Sequence, residues 1–430
     1  MSKPALLGGR PVRGKFLQHT TNIGEEEKKL VLEVLDSGVL SGFAASNDER
    51  FYGGKMVRKL ESEFCDYFGV KYAVSFNSAT SALHAAVAAC DVGPGDEVIT
   101  SPTTMTATPS SIIHANAVSV FADIEDLTYG LDPVRVAEKI TSSTKGIMAV
   151  NLFGHGAKLD ELRLLADRHG LFLLEDNCHA PGVHYHGKFT GTIGEIGTFS
   201  LNYHKIFQCG EGGVNITNRE DLAMKMRLVR NHGEVVVDAK NIDNIVNTLG
   251  WNYRMTELQA AVAIPQFNKL NGLNKIRVDL AVKLKEILSR FDFLDFPYVE
   301  EGCEHCYYLY PIRYNAQKAG LSRGLFCKAL KAENFLIMEG YLRPLYLEPM
   351  YQRKTAYGDK GCPFTCPYYK AESDYSEGSC PVAERLWKDE LIVANFVKYP
   401  YSLNDMSLFG DAVERIINNR DELIRWEGSQ

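Results

Sequence analysis

The chain has 430 residues, 45% of them hydrophobic, which is enough for one large core and a second smaller one. Its 47 Lys and Arg against 54 Asp and Glu give a formal net charge of -7, so there is no basic field for nucleic acid and no nucleic-acid partner is expected. No run approaches the roughly 20 apolar residues of a membrane span, Met1-Ser-Lys-Pro-Ala-Leu-Leu-Gly-Gly lacks the apolar centre of a signal peptide, and ten cysteines are too sparse for a secreted disulfide scaffold, which together read as a cytoplasmic protein without a membrane partner.

Residues 1–23 read as an N-terminal arm. Gly24 to Leu35 has helical spacing with acidic residues in its first turn. From about 55 to 235, strands such as Val98-Ile-Thr, Ser119-Val-Phe-Ala, Gly146–Val150 and Phe172-Leu-Leu alternate with amphipathic helices, among them a crossover helix over Leu159–His169. That alternation predicts an α/β architecture with a mainly parallel central sheet flanked by helices. The stretch from Glu257 to about Arg290 reads as one long helix leading into a smaller C-terminal α/β domain that closes with a helix over 409–426. The expected layout is an arm over 1–23, a large domain over 24–265 and a small domain over 266–430. Within the last, 351–378 is rich in Tyr, Lys and Gly and reads either as a lid touching substrate or as a solvated insertion.

Three stretches carry chemistry. Ala73-Val-Ser-Phe76 reads as a strand, after which Asn77-Ser-Ala-Thr-Ser-Ala-Leu83 opens a helix with small hydroxyl residues and free backbone amides, an end suited to phosphate. Leu171-Phe-Leu-Leu174 reads as a buried parallel strand with Glu175-Asp176-Asn-Cys-His179 at its C-terminal end, where ligands of open α/β sheets collect. A carboxylate at Asp176 can pair with a protonated pyridine nitrogen, the arrangement that makes pyridoxal 5'-phosphate (PLP) an electron sink. The third is Phe199-Ser-Leu-Asn-Tyr-His-Lys205-Ile-Phe-Gln-Cys-Gly-Glu-Gly-Gly213. An ammonium held among Phe199, Leu201, Ile206 and Phe207 loses solvent, which lowers its pKa and frees it to attack a carbonyl. Taken alone, the same lysine could simply snorkel at a strand end.

Two further groupings invite a metal reading. His184-Tyr-His186 puts two imidazoles on one strand face, and Cys303-Glu-His-Cys306 and Cys362-Pro-Phe-Thr-Cys366 have the pair spacing of a zinc site, with Cys380 nearby. The histidines lack a companion ligand at suitable spacing except Cys178, and the thiols can pack as small hydrophobes. No metal is expected.

Lys205, Asp176 and the helix opening at Ala79, together with Gly93-Pro-Gly-Asp-Glu-Val, Leu152-Phe-Gly154-His-Gly156, Asn252-Tyr-Arg-Met255-Thr-Glu-Leu-Gln and Cys380-Pro-Val-Ala-Glu-Arg385, resemble the DegT/DnrJ/EryC1/StrS sugar aminotransferases of the fold-type I PLP enzymes. The resemblance runs from about residue 24 over nearly the whole chain. It implies that Lys205 forms the Schiff base with PLP and then moves the proton, that Asp176 holds the pyridinium, and that His179, where the family often has Gln, lies near the phenolic oxygen. Ser200 and the backbone at Ala79 and Thr80 would bind the phosphate. Asn252 would reach the phosphate of the neighbouring subunit's cofactor, so the active site would be shared across a homodimer. The family usually stacks an aromatic residue on the cofactor where this chain has Met105, whose sulfur can still pack on a π face. The 351–378 segment is longer than is usual in the family. Related PLP-dependent dehydratases carry His in place of the lysine, but the spacing to Ser200 and Gly210 puts Lys205, not His204, at that position, which favours transamination. The implied activity is transfer of an amino group from glutamate or glutamine to a keto- or aldehydo-sugar, most simply a nucleotide-linked one. An inosose-type cyclitol acceptor is the enzymatic alternative. A non-catalytic regulator that binds PLP or a sugar is the alternative of another class.

Overall fold

The computed structural model describes residues 2–14 and 22–429, so part of the expected arm, residues 15–21, lies outside the described residues. The remainder of the arm is tied to the C-terminal half. The buried Glu333 carboxylate accepts the Ala5 and Val12 amides at 2.9 and 2.7 Å, and Arg13 pairs with Asp405 at 2.8 Å over the Tyr401 ring.

The first helix, α1 (Glu25–Ser37), is capped by Gly24, whose amide donates to Glu27 at 2.7 Å. After α2 (Lys55–Phe68), strands and helices alternate: β1 (Tyr72–Phe76), α3 (Ala79–Ala89), β2 (Glu97–Thr100), α4 (Ala107–His114), β3 (Val118–Phe121), α5 (Pro133–Lys139), β4 (Thr144–Val150), α6 (Leu159–His169) and β5 (Phe172–Asp176). A short hairpin of β6 (His184–Tyr185) and β7 (Lys188–Phe189) precedes β8 (Ile196–Ser200), β9 (Gly213–Thr217) and α7 (Glu220–Arg230). The main sheet has the order β1-β9-β8-β5-β4-β2-β3, and within it β9 alone runs against its neighbours. The apolar strands are buried on both faces, which is why they read as continuous hydrophobic runs.

The helix expected from Glu257 to about Arg290 is instead two: α8 (Glu257–Asn268) and α9 (Leu270–Leu288), with Pro265 near the break. Beyond it a second sheet, order β10-β11-β13-β12, is antiparallel throughout and consists of β10 (Leu294–Asp295), β11 (Tyr310–Tyr314), β12 (Ile337–Glu339) and β13 (Leu391–Ala394). Its own core gathers Leu284, Leu288, Ile312, Phe326, Phe335 and Phe409. The closing helix expected over 409–426 is also two, Leu403–Asn418 and Arg420–Gly428.

Tyrosines of the segment 351–378 are bonded to the large domain. The segment lies on the open edge of the main sheet, where the Tyr375 hydroxyl donates to the Ser119 carbonyl of β3 at 2.8 Å, Tyr369 to Glu97 Oε1 at 2.6 Å and Tyr357 to the Ile113 carbonyl at 2.9 Å. An edge strand leaves such groups unpaired, and here side chains of the insertion satisfy one of them.

Candidate active site

Lys205 follows β8 on a loop that folds back on itself, with Leu201 N bonded to Gly212 O and Tyr203 N to Gly210 O, both at 2.9 Å. Gly210 takes φ +86°, a conformation that favours glycine. At Gly213 a Cβ would stand 2.6 Å from the Ser78 carbonyl, so only glycine lets this strand close against the start of α3. That approach brings the lysine loop beside the helix opening. Burial lowers the Lys205 pKa from its ordinary value, against the opposing pull of Cys178 and Asp176, which both face the amine. The Tyr308 ring lies under it, 4.6 Å from Nζ to centroid.

Asp176 ends β5 and is 5% exposed. Its Oδ2 accepts the Thr108 hydroxyl at 2.7 Å and its Oδ1 the Cys178 amide at 3.2 Å. Behind it Glu175, fully buried, accepts the amides of Gly191, Ile193 and Gly194 and the Asn151 side chain. Burial raises the pKa of Glu175 in spite of those donors. The two neighbouring carboxylates thus divide the work: Glu175 fixes the loop, and Asp176 faces the lysine.

His179 is buried and stacked on Tyr308, ring centroids 4.1 Å apart. Burial, with Lys205 and His204 adding to it, holds its pKa well below the usual imidazole value, so the ring is neutral. Its Nδ1 has no hydrogen-bond partner, an orphaned buried polar atom of the kind a ligand satisfies. Ser78 caps α3 by accepting the Ser81 amide at 3.2 Å, leaving the amides of Ala79 and Thr80 at the open end, with Thr80 exposed. Ser200, the last residue of β8, pairs in register with Gly213 and so reaches the same end; its Oγ accepts the Asn202 amide at 3.3 Å.

Asn252 is exposed, and its carbonyl accepts Asn77 Nδ2 at 3.4 Å, which places it beside the same helix opening within its own chain. Met105 is 55% exposed, and its carbonyl accepts the Thr108 amide at 3.1 Å. Lys205, Asp176, His179, Ser200 and the Ala79–Thr80 amides therefore converge, with Met105 and Asn252 at the rim.

Thr108, Cys178 and Tyr308 were not singled out as site residues from the sequence. Thr108 lies in the first turn of α4, three residues after Met105. Tyr308 lies in the run Tyr307-Tyr-Leu-Tyr310, of which only Tyr310 belongs to a strand, the first residue of β11, and Tyr307 has φ +51°.

His184, His186, Cys303 and Cys306 each make other contacts. The strand of His184 ends at Tyr185; His184 bonds Glu304 and His186 bonds Asp160, at 2.9 and 2.7 Å. Cys306 Sγ donates to the His179 carbonyl at 3.2 Å, while Cys303 bridges to Tyr185. Among the described residues no group of three or more His, Cys, Asp or Glu is gathered for a metal.

A carboxylate to hold a pyridinium, open amides for a phosphate, a neutral imidazole with a free nitrogen and an amine of lowered pKa together fit PLP.

Comparison with known proteins gives the same direction. Residues 22–373 match the model of the DegT/DnrJ/EryC1/StrS aminotransferase family. GDP-perosamine synthase of Caulobacter vibrioides is 35% identical over 288 residues, 67% of this chain and 74% of the relative. L-glutamine:2-deoxy-scyllo-inosose aminotransferase of Streptoalloteichus tenebrarius is 33% identical over 378 residues, 85% of this chain and 87% of the relative. The solved structure of an aminotransferase from Psychrobacter cryohalolentis superposes with a TM-score of 0.81 at 26% identity, covering 94% of this chain and 99% of that one.

Proposed function

Because the chain belongs to the DegT/DnrJ/EryC1/StrS aminotransferase family, and is a PLP-dependent aminotransferase of the α/β fold-type I class, we propose that it moves an amino group from L-glutamate or L-glutamine to the carbonyl carbon of a nucleotide-linked keto- or aldehydo-sugar. The observation that carries the reading is the half-buried Lys205 amine, its pKa lowered by lost solvent, over the Tyr308 ring and facing Asp176 across the end of the sheet. GDP-perosamine synthase among the relatives supports a nucleotide-linked acceptor.

Bound at this site, PLP would supply an electron sink for the carbanion character that develops at the donor's α-carbon. Asp176, held as an acceptor by Thr108 and the Cys178 amide, would keep the pyridine nitrogen protonated. His179 Nδ1 would meet the phenolic oxygen. Ser200 and the amides of Ala79 and Thr80 would bind the phosphate, at the positive end of α3. Lys205, once its amine is free, acts as general base on the donor's α-hydrogen and returns the proton as general acid, and its lowered pKa keeps a neutral fraction available for this work. Burial of His179 and Asp176 limits the water that can compete for that proton.

A second copy of the chain would complete the site. The stretch that leads to Asn252 exposes Val235, Ile245, Val246, Leu249 and Trp251, an apolar strip a partner would cover, which supports the reading that Asn252 serves the neighbouring subunit's phosphate; Met105 would pack on the cofactor ring. The layout we adopt is an arm to 23, a PLP-binding domain over 24–265 and a small domain from 266. All ten cysteines are free thiols, which supports a reducing, cytoplasmic setting.

The inosose aminotransferase among the relatives favours a second reading, in which the acceptor is a free cyclitol ketone. A non-catalytic regulator is disfavoured because both Lys205 and Asp176 are intact. The test is a visible absorption scan of the purified protein with PLP, before and after L-glutamate and, separately, L-glutamine, followed by addition of a nucleotide-linked keto-sugar or a keto-cyclitol. Bleaching by a donor and recovery of the band with one acceptor class is the expected result. A protein that never takes up the cofactor's colour refutes the assignment.

A further inference from the structure

The segment 305–309 runs from the second half of the chain onto the wall of the active site, and it is held firmly. Cys306 N donates to the Gly154 carbonyl at 2.9 Å, Cys306 Sγ to the His179 carbonyl, and Leu309 N to the Phe153 carbonyl. The buried Arg277 of α9 donates to both the Tyr307 and Tyr308 carbonyls, at 3.1 and 3.0 Å. With its backbone so fixed, Tyr308 has one ring face against the neutral His179 imidazole and lies 4.6 Å from the Lys205 amine.

We propose that Tyr308 is a positioning residue for the catalytic lysine: its ring face is the seat on which the free Lys205 ammonium rests whenever the amine is not bonded to cofactor. The proposal rests on Lys205 being the cofactor-binding lysine. An ammonium over the face of a ring is stabilised by the ring quadrupole, and more so away from water. The seat therefore acts against burial. Burial alone would strip the proton from the amine; the ring keeps enough ammonium character for Lys205 to serve as acid as well as base. The stacked His179 holds the ring at the angle that presents its face.

The other groups around the amine are few. Asp176 and Cys178 face it from the end of β5 and favour the ammonium. His179 and His204 repel it to the extent that they are charged, and burial keeps His179 neutral. Arg277, Tyr203 and Tyr341 act on Tyr308 rather than on the amine. Among these, Tyr308 is a neutral group in contact with the amine, so a change of ring to aliphatic chain alters the contact without altering formal charge.

The experiment uses the protein stripped of PLP and follows the rise of the visible absorption band as Lys205 recaptures the aldehyde, at a series of pH values, since only the neutral amine attacks. Wild type, Tyr308→Phe, Tyr308→Leu and Tyr308→Met are compared, with thermal melts to confirm folding. Loss of the ring is expected to move the midpoint of the capture rate to lower pH by about 0.5 to 1, in both ring-free variants, while Tyr308→Phe follows wild type. A midpoint that stays or rises in the ring-free variants overturns the proposal, as does a Tyr308→Phe that moves as far as they do, which would put the effect in the hydroxyl. Absence of any band in wild type would instead refute the assignment of Lys205, so the two failures are distinct. Two ring-free variants of different shape guard against a packing defect in one of them.

Discussion

The Thr108 hydroxyl donates to Asp176 Oδ2 at 2.7 Å and, with the Cys178 amide on Oδ1, sets which way the carboxylate faces. Thr108 lies in α4 and Asp176 at the end of β5, so the bond ties two elements distant in sequence across the floor of the site. Thr108→Val removes the donor and keeps the shape. The expected cost is about 1.5–3 kcal/mol for a hydrogen bond to a charged group, read as roughly a tenfold or greater loss of PLP affinity with the protein still folded. Asp176→Asn should lower the rate of the donor half-reaction much further than it lowers affinity. Equal PLP affinity in Thr108→Val and wild type, by absorbance titration, would show that the carboxylate does not depend on this bond.

Removal of the amine tests proton transfer. Lys205→Ala should slow loss of the donor's α-hydrogen by at least about 10²–10⁴-fold, the usual contribution of a positioned acid–base group. A single-turnover experiment with the aldehyde form of the cofactor, PLP, and α-deuterated L-glutamate measures it, and added ethylamine should restore part of the rate. Transfer at the wild-type rate in Lys205→Ala would leave the reading without its central residue.

How much of this was legible in the sequence depends on range. Lys205, Asp176 and the opening of α3 announce themselves because their chemistry is local: a strand end, a glycine turn, a run of small hydroxyl residues. The parallel sheet is legible for the same reason, since doubly buried strands read as apolar runs. Tyr308 and Thr108 are not legible, because what matters in each is a contact some 70 to 100 residues away along the chain, Asp176 from Thr108 and Lys205 from Tyr308. The division of the 257–290 helix escapes because hydrophobic spacing continues through Lys269 while the axis breaks there. The place of 351–378 escapes because its tyrosines read the same whether their hydroxyls meet water or the edge of β3.

That edge contact makes a stability prediction. Tyr369→Phe strips a donor from Glu97, a buried carboxylate at the start of β2, and should cost about 1–3 kcal/mol. Tyr357→Phe, whose acceptor is the end of a helix and whose ring is exposed, should cost less than about 1 kcal/mol. Urea unfolding midpoints of the two variants should rank in that order, and neither should alter capture of PLP by Lys205, because the clamp lies away from the amine. A Tyr369→Phe variant that loses PLP binding while remaining folded would mean that the insertion is coupled to the site after all.

Glu27 gives the clearest dependence on pH. Burial of its carboxyl would raise the pKa, but Lys269 at 2.6 Å, Gln266 at 2.8 Å and the Gly24 amide overcome this and hold it at about 2, below the ordinary value of 4.5. The folded value is thus depressed relative to the unfolded one. The carboxylate's contribution is fully present above about pH 4.5, because the unfolded chain must surrender no proton there, and it is lost as pH falls through about 2, where both states are protonated. A displacement of that size is worth on the order of 2–3 kcal/mol. It holds α1 to the junction of α8 and α9, since Gln266 and Lys269 both reach it from that turn. Wild type and Glu27→Gln should therefore differ most in urea midpoint near pH 6, and the gap should narrow steadily between about pH 5 and pH 2.5. Other carboxylates titrate alike in both proteins and cancel in the difference. A gap that is constant over this range would show that the stabilisation is packing of the side chain and not its charge.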